Sequence, residues 1–472
     1  MELGFKEKVS YGLGAIGKDM VYMLSASYVL YYFQDVLGVN AMAMGVILMI
    51  ARIFDAFNDP VMGIIVAKTK TRWGKFRPWL MIGTLTNAVI LFLMFACPPS
   101  LDAKGLVAYA AVTYILWGVT YTMMDIPYWS MIPAFTRTGK EREGLTTLAR
   151  SCAGVGSALV TIFTVMIVNA IGKGIAGADA SARQVEIAGF KWFALIIAVL
   201  FIVFITVTCI NIKEKATVDM DSPSVGQMFK ALISNDQAMT IVIAIVLINC
   251  SIYITSNLVI YFFKYDFGGE GWQGSYTIFN MFGGAVQILS MMIFYPLLRK
   301  FASNIRIFYI CLSSAIIGYA VLFAIAFINM SNVFILFIPG FFIFAANGVL
   351  QVLTTVFLAN TVDYGDLKNG RRDESVIFSM QTFVVKLASG IAALIASICL
   401  SLNKLKDSSG DEAQQLYDFS KDVAASAKLG LRMTMTIIPV IGLFIAIIVF
   451  KNKFILTDKK MEEITQEIAD RG

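Results

Sequence analysis

Twelve predominantly apolar stretches, each about as long as a bilayer is thick, decide what this chain can fold into. They lie near residues 10–37, 41–67, 79–97, 105–134, 144–172, 188–211, 237–265, 272–297, 306–328, 333–363, 374–402 and 427–450. A helix rises about 1.5 Å per residue, so roughly 20 apolar residues cross a hydrocarbon core of about 30 Å. In lipid, each backbone N–H and C=O must find its partner within the protein. Spanning strands would read as alternating segments of about ten residues, and the sequence has none. The expected fold is therefore an all-α membrane protein with twelve transmembrane helices. Composition agrees: 58% of the 472 residues are hydrophobic and 15% are charged, whereas about a quarter of a soluble domain is charged.

Basic residues sort by loop. The stretch 67–78, AKTKTRWGKFRP, holds Lys68, Lys70, Arg72, Lys75 and Arg77, while 36–43 and 328–333 contain neither Lys nor Arg. The loop around 403–426 runs against this bias with Lys404, Lys406 and Lys421. The overall asymmetry places both termini in the cytoplasm, in a bacterial inner membrane. The net charge of +6 is then a matter of topology, and nucleic acid is not an expected partner. The N-terminus has no cleavable signal pattern, so the first apolar run is expected to stay as a helix. Residues 1–211 read as one six-helix half, 212–236 as a cytoplasmic middle loop and 237–450 as a second half. Residues 451–472 form a cytoplasmic tail, a short charged helix candidate. Residue identities alone do not establish a repeat between the halves.

The chain has six cysteines, no CxxC pair and no histidine. The cysteines sit in apolar stretches, where they act as small buried hydrophobes. Disulfides, haem, zinc and histidine-based catalysis are thus not expected.

Charges inside the spans carry the functional signal, because each costs several kcal/mol unless paired or hydrated. Eight stand out: Lys18, Arg52, Arg150 and Lys386 against Asp19, Asp55, Asp59 and Asp125. Their balance predicts a buried, mutually compensating network. In ARIFDAFNDPVMG, Asp55, Asn58 and Asp59 share one helix face at i, i+3 and i+4, and Arg52 extends that face. Two carboxylates and an amide form a shell of hard oxygens suited to a hard cation, and the hydroxyl of Thr122 is placed to complete it. Close carboxylates repel unless a cation or proton lies between them, which points to Na⁺, Li⁺ or H⁺. The structural alternative is an ion-pair cluster that glues helices together.

A second constellation comprises Lys18, Asp19, Tyr121, Asp125, Trp129 and Arg150. Carboxylates accept from vicinal hydroxyls, a guanidinium donates in a fixed fork, and an indole offers a platform. The set suits a sugar. As alternatives, Trp129 is an interface anchor and Lys18–Asp19 a structural ion pair. In SMQTFVVKLASG, Gln381, Thr382, Val385 and Lys386 cluster at helical spacing, with Lys386 either facing a cavity or serving as a counter-ion. The stretch 362–375, VDYGDLKNGRRDES, reads as an inner loop. No phosphate-binding loop occurs, so transport would run on an ion gradient. A membrane-embedded sugar transferase would need a catalytic base with a phosphate or metal site, and the sequence offers none.

The pattern R-x-x-D-A-x-x-D-P-x-x-G from Arg52 to Gly63 is followed by RWGKFRP at 72–78. With YGLGAIGKD at 11–19, TYILWGVTYTMMDIPYWS at 113–130 and TVDYG at 361–365, the chain resembles the glycoside–pentoside–hexuronide:cation symporters of the major facilitator superfamily. That resemblance implies two six-helix halves and a symporter rather than an enzyme. It implies a melibiose-like galactoside as solute, a pentoside or glucuronide as the alternative, and Na⁺, Li⁺ or H⁺ as the coupling ion. No other cofactor is implied. It assigns the cation to Asp55, Asn58, Asp59 and Thr122, with Arg52 in the charge network. The sugar falls to Lys18, Asp19, Tyr121, Asp125, Trp129, Arg150, Gln381, Thr382, Val385 and Lys386.

Overall fold

A computed structural model describes residues 4–132, 139–177, 179–214, 225–269, 271–328, 332–369, 374–405 and 418–471. All regular structure among them is helical. In chain order the helices are α1 (Phe5–Tyr31), α2 (Ala41–Lys68), α3 (Arg77–Phe95), α4 (Ala103–Ser130), α5 (Gly139–Ala176) and α6 (Ala182–Asn211). The short α7 (Val225–Ser234) follows, then α8 (Asp236–Tyr261), α9 (Trp272–Leu289) and α10 (Tyr295–Arg299). The remainder are α11 (Asn304–Ile328), α12 (Phe337–Asn369), α13 (Glu374–Leu402), α14 (Ala425–Lys453) and α15 (Asp458–Arg471).

Eleven of these helices are long and apolar enough to cross a membrane. α1 is the twelfth long helix and misses that threshold. Its three inner glycines, Gly12, Gly14 and Gly17, its hydroxyl-bearing side chains and the Lys18–Asp19 pair dilute its apolar character. The same residues face protein instead, for Ser10, Gly12, Gly14, Gly17 and Lys18 are all buried.

The described residues up to Glu214 form one compact unit, and those from Val225 onward form another. Within the first, α1 packs on α5 and α6, α3 on α4 and α6, and α2 on α4. Within the second, α8 packs on α13 and α14, α11 on α12 and α14, and α9 on α12. The two units therefore repeat one packing plan, which residue identities did not reveal. Both α1 and α8 also end in a π-helical turn that contains an aspartate, Asp35 in Tyr32–Val36 and Asp266 in Phe262–Phe267.

Two stretches expected as loops are partly helical. The middle segment contains α7, whose Leu232 is buried and whose Phe229 ring meets Phe383 of α13 edge-on at 5.8 Å. α12 runs on to Asn369, so residues 362–369 are helix rather than inner loop. Gly365 permits this, because a Cβ there would lie 2.7 Å from the Asn235 amide nitrogen, which donates to the Thr361 carbonyl. Residues 215–224 and 370–373 lie outside the described residues.

The inventory of charges within spans also needs enlarging. Asp35, Lys264 and Asp266 are buried, and Arg432 grips Asp266 through two hydrogen bonds of 2.6 and 2.7 Å. The eight charges noted above are thus not the whole network. The additional acids and Lys264 sit in terminal π-turns, at the margins of the apolar stretches.

Candidate functional site

Helix α4 is the element that both candidate sites share. Its face toward α1 forms an antiparallel seam. Tyr11 stacks on Tyr128 with ring centroids 4.4 Å apart. Two turns along, the Lys18 ammonium donates to the Tyr121 hydroxyl at 3.2 Å. One turn further, Tyr22 meets Trp117 at 6.2 Å. The first pair is doubly tied, since each phenol donates to the other residue's backbone carbonyl at 2.5 Å.

Lys18 is the hub of this seam. Its Nζ lies 2.8 Å from Asp125 and 3.3 Å from Asp19, and its side chain is only 5% exposed. The Trp129 indole N–H donates to Asp125 at 3.1 Å, which fixes ring and carboxylate together one helical turn apart. From α5, Ser157 donates to Asp19 at 3.5 Å. The Arg150 guanidinium lies 4.3 Å from the centroid of Trp129. α5 can approach this closely because Gly156 sits against the α1 backbone: a Cβ there would lie 2.4 Å from the Ile16 carbonyl oxygen. The structure therefore gathers Lys18, Asp19, Tyr121, Asp125, Trp129 and Arg150 into one cluster. The indole expected as a platform carries a guanidinium over its ring.

The cluster holds two cations and two carboxylates. Lys18 engages one oxygen of each carboxylate. Ionised carboxylates offer about four acceptor positions each, so acceptor capacity remains for a polyhydroxylated ligand.

The face of α4 toward α2 forms a parallel seam. Asp55 lies against Gly118, and one turn along Thr122 donates to Asp59 at 3.0 Å. Residues Ile50, Phe54, Val61 and Ile65 make an exposed apolar stripe along α2, whereas Asp55 is buried and Asn58 and Asp59 are half-buried. The acids thus point away from the apolar outer face. Arg52 lies 3.6 Å from Asp55, and its guanidinium sits 5.8 Å from the ring centroids of both Tyr22 and Tyr114. The Asn58 amide nitrogen is buried without a hydrogen-bond partner. Among the described residues, no three His, Cys, Asp or Glu side chains are arranged to hold a metal ion. The donors near α4 are two carboxylates, an amide and a hydroxyl, all hard and modestly charged. Such a set suits a hard monovalent cation better than a soft transition metal.

The remaining predicted residues stand on α13, in the second unit. Gln381 and Val385 are one turn apart, as are Thr382 and Lys386. Gln381, Val385 and Lys386 are half-buried, and Thr382 is exposed. Ser389 donates to the Lys386 carbonyl at 2.8 Å.

Several residues packed around these clusters were not among those expected from the sequence. Tyr22 follows Lys18 by one turn, while Trp117 and Tyr114 precede Tyr121 by one and two turns, so extending the helical spacing to aromatics would have found them. Gly118 and Ser157 leave no such trace.

Residues 10–454 match the family described as MFS/sugar transport protein. The putative glycoside/cation symporter YagG of Escherichia coli (strain K12) is 26% identical over 475 residues, which span 99% of this chain and 95% of that protein. The raffinose carrier protein of Pediococcus pentosaceus is 29% identical over 484 residues, covering 98% of this chain and 71% of the carrier. The crystal structure of a D-xylose–proton symporter matches with a TM-score of 0.61 at 14% identity, over 95% of this chain and 97% of that one. At that identity the likeness concerns fold, and the expected major facilitator fold is the one found.

Proposed function

This chain belongs to the MFS/sugar transport protein family, a family of transporters and not enzymes, and we propose that it is a secondary symporter coupling uptake of a neutral glycoside to a monovalent cation. The solute on this reading is a melibiose-like galactoside and the ion Na⁺, with Li⁺ or H⁺ as substitutes. Both termini lie in the cytoplasm of a bacterial inner membrane. One observation carries the proposal: the cluster around Lys18 and the acid pair of α2 contact two faces of the same helix, α4.

The coupling follows from that arrangement. A cation between Asp55 and Asp59 relieves their repulsion and draws on the Thr122 oxygen, which restrains α4. Asp125 and Trp129 then hold positions in which the sugar binds more tightly. By reciprocity the sugar tightens the cation equally, with a coupling of roughly 1–3 kcal/mol. The loaded carrier then gives access to the other face of the membrane, and Gln381, Thr382, Val385 and Lys386 are sugar-binding candidates of the second unit. Within the cluster on α4, Lys18 and Arg150 are matched by Asp19 and Asp125, which favours a neutral sugar there; a hexuronide would call for further positive charge, such as that of Lys386.

Binding of labelled melibiose to purified protein, with and without Na⁺ and against competing galactosides, pentosides and glucuronides, tests the proposal. Asp59→Cys should abolish Na⁺ stimulation yet keep sugar exchange, and Asp19→Ala should abolish sugar binding. Undiminished Na⁺ stimulation in Asp59→Cys would refute the cation assignment.

A further inference from the structure

An aromatic patch joins the two clusters on α4, and beyond Tyr121 neither cluster's chemistry calls for it. Trp117 stacks between Tyr114, at 5.9 Å, and Tyr121, at 5.2 Å. Tyr22 of α1 lies against Tyr121 at 5.6 Å and Trp117 at 6.2 Å. Arg52 reaches this patch from the acid pair, with its guanidinium 5.8 Å from the centroids of Tyr22 and Tyr114. At the other end the Tyr121 hydroxyl accepts from Lys18, which pairs with Asp125 at 2.8 Å. A continuous line of contacts therefore runs Asp55–Arg52–Tyr22–Tyr121–Lys18–Asp125.

We infer that Tyr22 couples the two sites, so that cation occupancy at α2 is read at Lys18 through its ring; the inference rests on the symport reading above. Arg52 is shared between two kinds of partner. Its guanidinium lies 3.6 Å from Asp55 and 5.8 Å from the ring centroids of Tyr22 and Tyr114, faces that attract a guanidinium. A cation on Asp55 competes for the carboxylate and shifts Arg52 toward the rings. Tyr22 then presses on Tyr121, whose hydroxyl orients Lys18 and, through it, both sugar-site carboxylates. Without an aromatic ring at position 22, Arg52 has no surface there to respond to.

The test compares melibiose affinity in NaCl and in choline chloride for purified full-length protein. In the unsubstituted chain the Na⁺-dependent ratio should fall in the range of about 5- to 150-fold typical of linked sites. Tyr22→Leu should bring it to within about twofold of unity, well below that range, while melibiose still binds in choline. By reciprocity, the effect of melibiose on Na⁺ affinity should shrink by the same factor. Tyr22→Phe, which keeps the ring, should restore the ratio. A merely structural role would lower affinity in both salts and leave the ratio intact. If Tyr22→Leu does not yield folded protein, Tyr22→Met, which fills the space with a flexible thioether, takes its place. An undiminished ratio in the ring-less variant overturns the inference and leaves α4, through Thr122 and Asp59, as the carrier of coupling. Absence of any Na⁺ effect in the unsubstituted protein instead overturns the symport reading, and this inference with it.

Discussion

At the level of single residues, Gly118 has a large effect for its size. A Cβ at that position would meet Asp55 Oδ1 at 2.3 Å, so the carboxylate reaches α4 only because the side chain is missing. Overpacking a filled site costs typically 1–3 kcal/mol. Here the carboxylate can swing away more easily than the α4 backbone can move. Gly118→Ala should therefore fold and still bind sugar, yet need about 5- to 150-fold more Na⁺ for half-maximal stimulation of melibiose binding. An unchanged Na⁺ requirement would show that the contact with Gly118 does not set the position of Asp55. The acids of α2 were legible in the sequence because charge within an apolar helix is expensive. Gly118 was not, because a glycine in a membrane helix incurs no such cost. Its meaning appears only once the parallel register of α2 and α4 is known.

At the level of helices, α4 must hold a fixed register against α1 for Lys18 to reach Asp125. The reciprocal Tyr11–Tyr128 bonds supply that constraint, since sliding either helix breaks both together. Both tyrosines are fully buried. A neutral hydrogen bond contributes about 1 kcal/mol net, and leaving a buried carbonyl less well satisfied adds to the loss. Tyr11→Phe and Tyr128→Phe should each lower thermal stability modestly and weaken sugar binding several-fold. The double variant should cost less than the sum, because the bonds share one geometry. Strict additivity of the two effects would show that the tyrosines act independently of register. Helix extents were readable from apolar length: eight of the twelve apolar stretches start and stop within about four residues of the helices found, their flanking π-helical and 3-10 turns included. The departures have local causes. Residues 362–369 contain Asp366 and Lys368, which look like loop residues, yet Lys368 and Tyr364 bond to Asp236 at the start of α8. α7 is too short for a spanning signal and shows itself only by its amphipathic spacing.

For the whole molecule, the repeated packing plan makes each unit a body with its own core, and the second unit's core extends beyond its last spanning helix. Phe454, Leu456 and Ile464 follow α14 or lie on α15, and all three are buried among Phe357, Phe450 and neighbouring side chains. Phe454 stacks on Phe450 at 4.3 Å. Arg299, at the end of α10, pairs with Asp458 at 2.8 Å and draws the first turn of α15 toward that helix. The tail reads in sequence as a short charged helix because its acids and lysines outnumber its apolar residues. What the composition hid is the spacing of Leu456, Met461 and Ile464, which puts one apolar edge against the core. Fully burying a large apolar side chain contributes roughly 1.5–3 kcal/mol, so the three together matter far more than any exposed ion pair on the same helix. Ending the chain at Lys453 should therefore lower the unfolding temperature of the detergent-solubilised protein by many degrees. Lys460→Ala, which breaks only the exposed pair with Glu463, should leave it unchanged. Ile464→Ala separates packing from charge: it opens a cavity in a fully buried site and should cost about 2–5 kcal/mol, with no change in the Na⁺ dependence of sugar binding. If instead the truncated chain melts like the intact one, α15 is not part of the second unit's core.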